Sequence, residues 1–549
     1  MLDNSILYLY NVATMYIHRA KKKVKDKVYT STLLMHNHRE GKKIRHKTIM
    51  NISKWKESEI EALDRVLKGA RGMTCEDIEI KQSKSIGAIW VFKKLSDELG
   101  ITEVLGETRS AKVAMLLILS RIITQGSRRH AMHWKDTQEI GYVLGLEDLK
   151  KDELYNALDE LDNRQKDIEK ELFKKRYGVT PPSLYLYDVT SSYLEGSKNE
   201  LGNWGYNRDG KKGTQQIVIG LLMGEDGHPI SVEVFEGNTC DTKTVVNQIE
   251  ALKYRFCVKK VTLVGDKGMI KGPQIETLSD EGITYITSIT KAQIQTLIKN
   301  ETFQLSLFED RLIEVTDEDI RYIMRRNPVR QIEMAETRNQ KLSRVKEYVN
   351  QENKNLSEKP KRKLITSQNL IQNKIDKLKL SKIVTLSVVG ERRLIIEINE
   401  SKKQKEAELD GCYVLKTNVQ AETKTPQQIH QQYKQLAVVE SAFRTIKTTC
   451  LEVRPIYVRK KSRTRGHVFL TMLAFMLVTT FNKKTVSIED ITTPEKISAL
   501  DHIHTITFSI FDKSFKKIPP PSDSTKQILE ALEITLPSDA ALNKEPVVA

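Results

Sequence analysis

The prolines Pro181 and Pro182, three and four residues after Gly178, divide the chain more sharply than any other feature. Proline lacks an N–H and clashes with the preceding turn, so no helix runs through this point. Before it, residues 87–175 read as helical, with WVFKKLSDELG, SAKVAMLLILSRIIT and a charged amphipathic stretch ending in ELFKKRYG. After it the texture becomes short runs of β-favouring residues: SLYLYDVT, QQIVIGLLM, HPISVEVFEG, VTLVGD and GITYITSI. Helical segments are expected between them, near 241–256 and 273–281. Strands interleaved with helices, some as hairpin-like neighbours, define an α/β core. Upstream, from Met15 to about residue 55, β-type runs (VYTSTLLM, IRHKTIMNI) alternate with basic turns. Downstream, residues 291–380 are long, polar and Lys-rich. Then come IVTLSVV and RRLIIEIN, expected to pair through a two-residue Gly390-Glu391 hairpin. CYVLKTN comes next and leads into a helix starting near Pro426.

With 549 residues the chain has room for three or four domains. Lys and Arg total 89 against 72 Asp and Glu, a net charge of +17. Such a surplus favours a polyanionic partner, either nucleic acid or an anionic membrane surface. The apolar stretches at 114–119 and 470–477 fall short of the roughly 20 residues that cross a bilayer, so no span is expected. The N-terminus shows no basic region followed by an apolar run and a small-residue cleavage site, so secretion is not expected either. Five cysteines without a CxxC pair suggest a reducing compartment and no zinc knuckle. His36 and His38 form an HxH with no partner at ligand spacing. GDKGMIKG has neither the spacing nor the Lys-Ser/Thr ending of a phosphate loop, which argues against an ATP-driven motor.

Three acids stand out. Asp188 ends the apolar run of SLYLYDVT, where a carboxylate is costly unless a cation or donor compensates. Its plain alternative is an aspartate capping the next turn through Thr190. Asp266 closes the strand-like VTLVG, and ligands of α/β sheets gather beyond strand ends; it too reads equally as a turn residue. Two such acids at one rim repel, and a divalent cation relieves that. Glu440 lies in PQQIHQQYKQLAVVESAFRTIKTTC, where Leu436, Val439, Phe443 and Ile446 make an apolar stripe. On one continuous helix Tyr433, Glu440 and Lys447 recur every seven residues and stay in line along the edge of that stripe. Arg444, one turn beyond Glu440, makes an ordinary i,i+4 surface pair the competing explanation.

YDVTSSYLEG, GYNRDGKKGTQQIVIGLLMGEDGHPISVEVFEGNTCDTKTV, VTLVGDKGM and YKQLAVVESAFRTIKTTCLEVRPIYVRKKSRTRGHVFLTMLAFML together resemble prokaryotic insertion-sequence DDE transposases. More closely they resemble the group named after insertion sequence four. The likeness covers roughly 180–290 and 410–480, more weakly from Met15 onward. It implies a ribonuclease-H-like mixed sheet flanked by helices, interrupted by an inserted α/β subdomain, with an N-terminal β/helical DNA-binding region. The implied division is a β-rich basic arm (1–80), a helical DNA-binding region (81–180), the first part of the core (181–290), an insertion (291–410), the second part with the Glu helix (411–482) and a C-terminal region (483–549). The family's acid triad falls on Asp188, Asp266 and Glu440, which would hold two Mg²⁺ ions, with Mn²⁺ able to substitute. Its Tyr-x2-Arg-x3-Glu-x6-Lys signature maps to Tyr433, Leu436, Glu440 and Lys447; Leu436 departs from the family arginine, a place Arg444 or Lys434 could fill.

The implied activity is metal-dependent cleavage and strand transfer at the terminal inverted repeats of a mobile element. A homodimer on paired DNA ends and a cytoplasmic location are implied by the same resemblance. Besides Tyr433, Arg444 and Lys447, the residues expected to touch DNA are Arg208, Lys211 and Lys212 in a Gly-rich loop, and Arg459, Lys460 and Lys461 after the Glu helix. Trp204 is either a base-stacking residue or an anchor of its loop. The competing class is a decayed or repressor-like copy that binds ends without catalysis.

Overall fold

The computed structural model describes residues 15–24, 27–40, 43–69, 78–211, 213–258, 261–448, 451–454, 456–510 and 513–543. The chain forms two compact units: residues 1–83 with 506–517 and 543–549, and residues 84–505 with 518–542. The first holds the antiparallel sheet β1 (Met15–Val24), β2 (Lys27–Glu40) and β3 (Lys43–Asn51), then a helix at Glu57–Leu67. The strand β4 (Ile78–Ser85) comes after that helix and belongs to a separate, smaller sheet.

The second unit is built on one large mixed sheet. Its strands are β5 (Leu184–Tyr193), β6 (Gln216–Gly224), β7 (Pro229–Glu236), β8 (Thr262–Gly265), β9 (Thr284–Ser288), β10 (Ile313–Asp317), β11 (Ile320–Arg326) and, after the hairpin β12 (Val384–Val389) and β13 (Arg393–Ile398), β14 (Cys412–Thr417). They lie in the order β10-β11-β14-β9-β8-β5-β6-β7. β5, β8 and β9 run parallel and the other pairings are antiparallel. β15 (His504–Ile510) and β16 (Lys513–Lys517) complete the β4 sheet in the order β16-β15-β4.

Both faces of the large sheet are covered, which explains why its strands read as near-continuous apolar runs. Successive residues of a strand point to opposite faces, and the burial respects that alternation. Leu184, Leu186, Ile217, Ile219, Leu221, Val264 and Ile286 share one core with helices at Arg109–Ile123, Lys151–Tyr177 and Lys461–Lys484. Tyr185, Tyr187, Val189, Val218, Leu222, Leu263 and Tyr285 share the other with Val245, Ile249 and Leu278 from the helices Asp241–Glu250 and Gly272–Asp280. The helix Lys461–Lys484 is longer than the apolar run at 470–477 suggested: it alone among the described residues has the length and composition to cross a membrane, and 89% of its most apolar window is buried inside the protein. Here it serves as a core helix.

Residues 313–326, expected to lie outside the sheet, instead extend its edge as β10 and β11. Arg321 explains how so charged a segment is a strand. It is almost fully buried, grips Glu314 on the neighbouring strand (Nε–Oε1 2.5 Å) and donates to Val419 O at 2.7 Å. Only the chain beyond β11 stands apart from the sheet, as the helices Pro328–Glu358 and Leu364–Lys377 and the β12–β13 hairpin. These pack a core of their own from Leu342, Val345, Val349, Ile371, Ile375 and Leu394. Asn353 clips helix to hairpin by accepting from Leu394 N and donating to its carbonyl. The hairpin turn holds Gly390, Glu391 and Arg392, one residue more than expected, because Val389 pairs with Arg393.

At Gly466 the helices 151–177 and 461–484 come so close that an added Cβ would stand 2.1 Å from the Leu158 carbonyl oxygen. Gly466→Ala therefore forces apart the helices 151–177 and 461–484. A loss of about 1–3 kcal/mol of unfolding free energy is expected in urea titrations, as for other overpacked cores; unchanged stability would contradict this contact.

Candidate active site

The register of two parallel strands builds the site. β5 and β8 pair with Tyr187 opposite Gly265, so Asp188 and Asp266 each stand one residue beyond the last rung of that pair. β8 ends there, but β5 runs on to Tyr193 against β6, so Asp188 sits in mid-strand and not at a strand end as expected. Adjacent strands lie about 4.8 Å apart, which makes the two acids near neighbours. Both have the parity of Leu186 and Val264, so both face the core that holds Val439, Ala442, Phe443 and Ile446 of the Glu440 helix. Asp188 is half-buried and accepts from Val189 N at 2.8 Å. Burial pushes its carboxyl up to about 7, and the charges of Asp266 and Glu440 push the same way; the Val189 N–H and the Arg208 guanidinium oppose the rise. The two strand acids and the distant glutamate thus share one electrostatic neighbourhood. Among the described residues, however, no three Asp, Glu, His or Cys side chains are grouped closely enough to hold an ion as they stand.

The segment bearing Glu440 is not one continuous helix. It breaks at Gln435 into Pro426–Lys434 and Leu436–Lys447, so the seven-residue line from Tyr433 does not run unbroken to Glu440. Tyr433 nonetheless reaches the site from the first piece. Its hydroxyl donates to Ser288 Oγ at 2.8 Å, and burial raises it to about 12, with Asp266 and Glu440 adding to the rise. Leu436 is buried in the core, while Glu440 and Arg444 are exposed.

Lys447 is neither solvated nor free. Its ammonium donates to Thr190 Oγ1 at 2.5 Å, on the face and strand of Asp188, and to Asp209 Oδ1 at 3.0 Å. Burial lowers its pKa, an effect Asp209 opposes. Arg454 Nη1 lies 3.1 Å from Asp209 Oδ2. Arg208 turns towards Asp241, with Nη2 at 2.5 and 2.6 Å from the two carboxylate oxygens. Lys211 is exposed, pairs with Glu195 at 3.1 Å and lies over the Tyr193 ring. Lys212 lies outside the described residues. Arg459, Lys460 and Lys461 are exposed, and their segment is laced to the β5–β6 loop: Glu200 N donates to Arg459 O and Lys461 N to Glu200 Oε2. Trp204 is 61% exposed. His467 is buried and structural: it accepts from Arg128 at Nδ1 and donates from Nε2 to Val453 O at 3.0 Å. Sequence reasoning missed Asp209 and Arg454 as partners of Lys447; the acid in GYNRDGKKG carried no signal beyond that of a turn.

A large mixed sheet covered by helices on both faces, with Asp188 and Asp266 on neighbouring parallel strands, has the ribonuclease-H-like architecture. Residues 180–477 match the family model of the transposase DDE domain, more than half of the chain, and the chain belongs to that family. Residues 17–76 match the N-terminal domain of IS1634 family transposases. This supports an insertion-sequence transposase without singling out the group named after insertion sequence four. No curated protein matches. Among solved structures, the chain is similar to a piggyBac transposase in a synaptic complex with hairpin DNA: 10% identity, TM-score 0.38, covering 77% of this chain and 82% of that one. That likeness is too low to bear on the site.

The raised Asp188 carboxyl has a sign that can be checked. Its folded pKa of about 7 lies above an ordinary aspartate, so its contribution favours folding at low pH and is lost as pH rises through 7. In chelator, Asp188→Asn is therefore expected to be more stable than the parent at pH 8, by on the order of 1–3 kcal/mol. The gap should narrow as pH falls to 5. A gap independent of pH would show that Asp188 is not the strained group.

Proposed function

We propose that the protein is an active DDE transposase that binds the terminal inverted repeats of an insertion sequence and carries out metal-dependent strand cleavage and strand transfer. The observation that carries this reading is that Asp188, within β5, and Asp266, just past β8, lie side by side on adjacent parallel strands, on the face that the Glu440 helix covers. The donors are all carboxylate oxygens, which suits Mg²⁺, or Mn²⁺ in its place. Burial raises Asp188 most, with Asp266 and Glu440 adding to it, and a cation would offset both the desolvation and the repulsion. Asp188, Asp266 and Glu440 would hold two ions, with Glu440 turning in from its exposed position. When bound, such ions activate the attacking water or 3′-hydroxyl and stabilise the leaving oxygen.

The protein's own residues align the DNA. Tyr433, fixed by Ser288, bounds one side of the acids, and Lys447 brings its positive charge to the other side at Thr190. Exposed Arg444, Lys211, Arg459, Lys460 and Lys461 suit contact with backbone phosphates, which sets register without reading sequence. Residues 1–80 and 81–180, with help from the basic insertion, are the regions we assign to recognising element ends. A homodimer on paired ends and an intracellular location belong to the same proposal. So does membership of the group named after insertion sequence four, which rests on the order of the long blocks over roughly 180–290 and 410–480.

Asp266→Asn tests the reading. It keeps the shape and removes one charge, so specific binding to labelled terminal-repeat DNA should stay within about twofold, since carboxylates make no phosphate contact. Mg²⁺-dependent nicking should disappear. Equal loss of binding and cleavage would make Asp266 structural. End binding by the parent without nicking in either Mg²⁺ or Mn²⁺ would point to the non-catalytic end-binding protein instead.

A further inference from the structure

We propose that Asp209, in the loop between β5 and β6, is a positioning residue that holds the Lys447 ammonium against the acid-bearing strand; this deepens the transposase reading and rests on it. Asp209 is nearly buried, with a side chain 10% exposed beside a Lys447 side chain 12% exposed. It lies between two cations, with Lys447 Nζ at 3.0 Å from Oδ1 and Arg454 Nη1 at 3.1 Å from Oδ2.

The loop that carries Asp209 is fixed on both sides. Asp209 N donates to Asn207 Oδ1 at 2.8 Å. Arg208 N donates to Ser191 Oγ at 2.9 Å, and its guanidinium grips Asp241. The second cation is held as firmly. Arg454 Nη2 donates to Lys447 O at 3.2 Å, and its guanidinium lies over the Tyr193 ring. The backbone just before it is pinned by Arg121 Nη1 to Glu452 O at 3.0 Å and by His467 to Val453 O.

A buried ion pair is weak evidence for added stability, because desolvation cancels much of its attraction. What this one supplies is placement. Lysine is a point charge on a flexible stem, and among the described residues the only other group bonded to its ammonium is the Thr190 hydroxyl. Two cations against one carboxylate also leave one positive charge in excess, which remains available to a phosphate at the acids.

Acetic anhydride labelling of the full chain without DNA, read by mass spectrometry, tests the placement. In the parent, Lys447 should acetylate at least about tenfold more slowly than exposed Lys460 and Lys461, because it must first open locally. Asp209→Asn should remove most of that protection. A parent Lys447 that reacts as fast as Lys460 would overturn the proposal without any variant, as would protection unchanged in Asp209→Asn.

The functional arm uses intact and pre-nicked terminal-repeat DNA with Asp209→Asn, Lys447→Ala and the double variant. The ratio of later products to first nicks should fall in both single variants, with no further loss in the double. A ratio unchanged in Asp209→Asn, or losses that simply add, would overturn the proposal, since a merely structural residue lowers both steps together. If the parent nicks no end DNA, the transposase reading fails, and the labelling result alone decides whether Asp209 holds Lys447.

Discussion

The parallel pairing of β5 with β8 is the constraint on which the site depends. With Tyr187 opposite Gly265, Asp188 within β5 and Asp266 just past β8 come side by side on the same face. A slip of one residue would send one acid to the opposite core, among Tyr185, Tyr187 and Tyr285, because side chains alternate with period two. Burial on both faces penalises that slip along the whole strand, so the packing that stabilises the sheet also sets the register of the acids.

The Glu440 helix is held to the same face by Val439, Ala442, Phe443 and Ile446, and its end is tied to β5 through Lys447 and Thr190. More than 170 residues separate Asp266 from Glu440. The intervening chain first adds β9, β10 and β11 to the sheet, then forms a self-contained body, then returns as β14 between β11 and β9. Because β14 re-enters the same sheet, the long excursion leaves the position of the next helix fixed.

Much of this was legible in the sequence. The strands β5, β6, β7 and β8 show as apolar runs because both their faces are buried, and the order of long blocks pointed to Asp188, Asp266 and Glu440. β10 and β11 did not show, because IEVTD and IRYIMRR carry charges whose partners, such as Glu314 for Arg321, are visible only across the strand pair. The break at Gln435 was hidden for a related reason: no proline or glycine marks it. Asp209 was hidden because its partners lie 238 and 245 residues further along the chain. The basic residues read as phosphate contacts were placed only by composition. Three-dimensional packing sorts them into exposed ones, such as Arg459 and Lys460, and engaged ones, such as Arg208 and Lys447.

The central claim is that Asp188, Asp266 and Glu440 make one cation site. A crystal structure of the protein grown with Mn²⁺, with anomalous difference maps collected at the manganese edge, tests it most directly. An anomalous peak is expected within about 2.0–2.4 Å of oxygens from both Asp188 and Asp266, with Glu440 turned towards it. A fully occupied manganese site elsewhere in the chain, with the three carboxylates left without an ion, would contradict it.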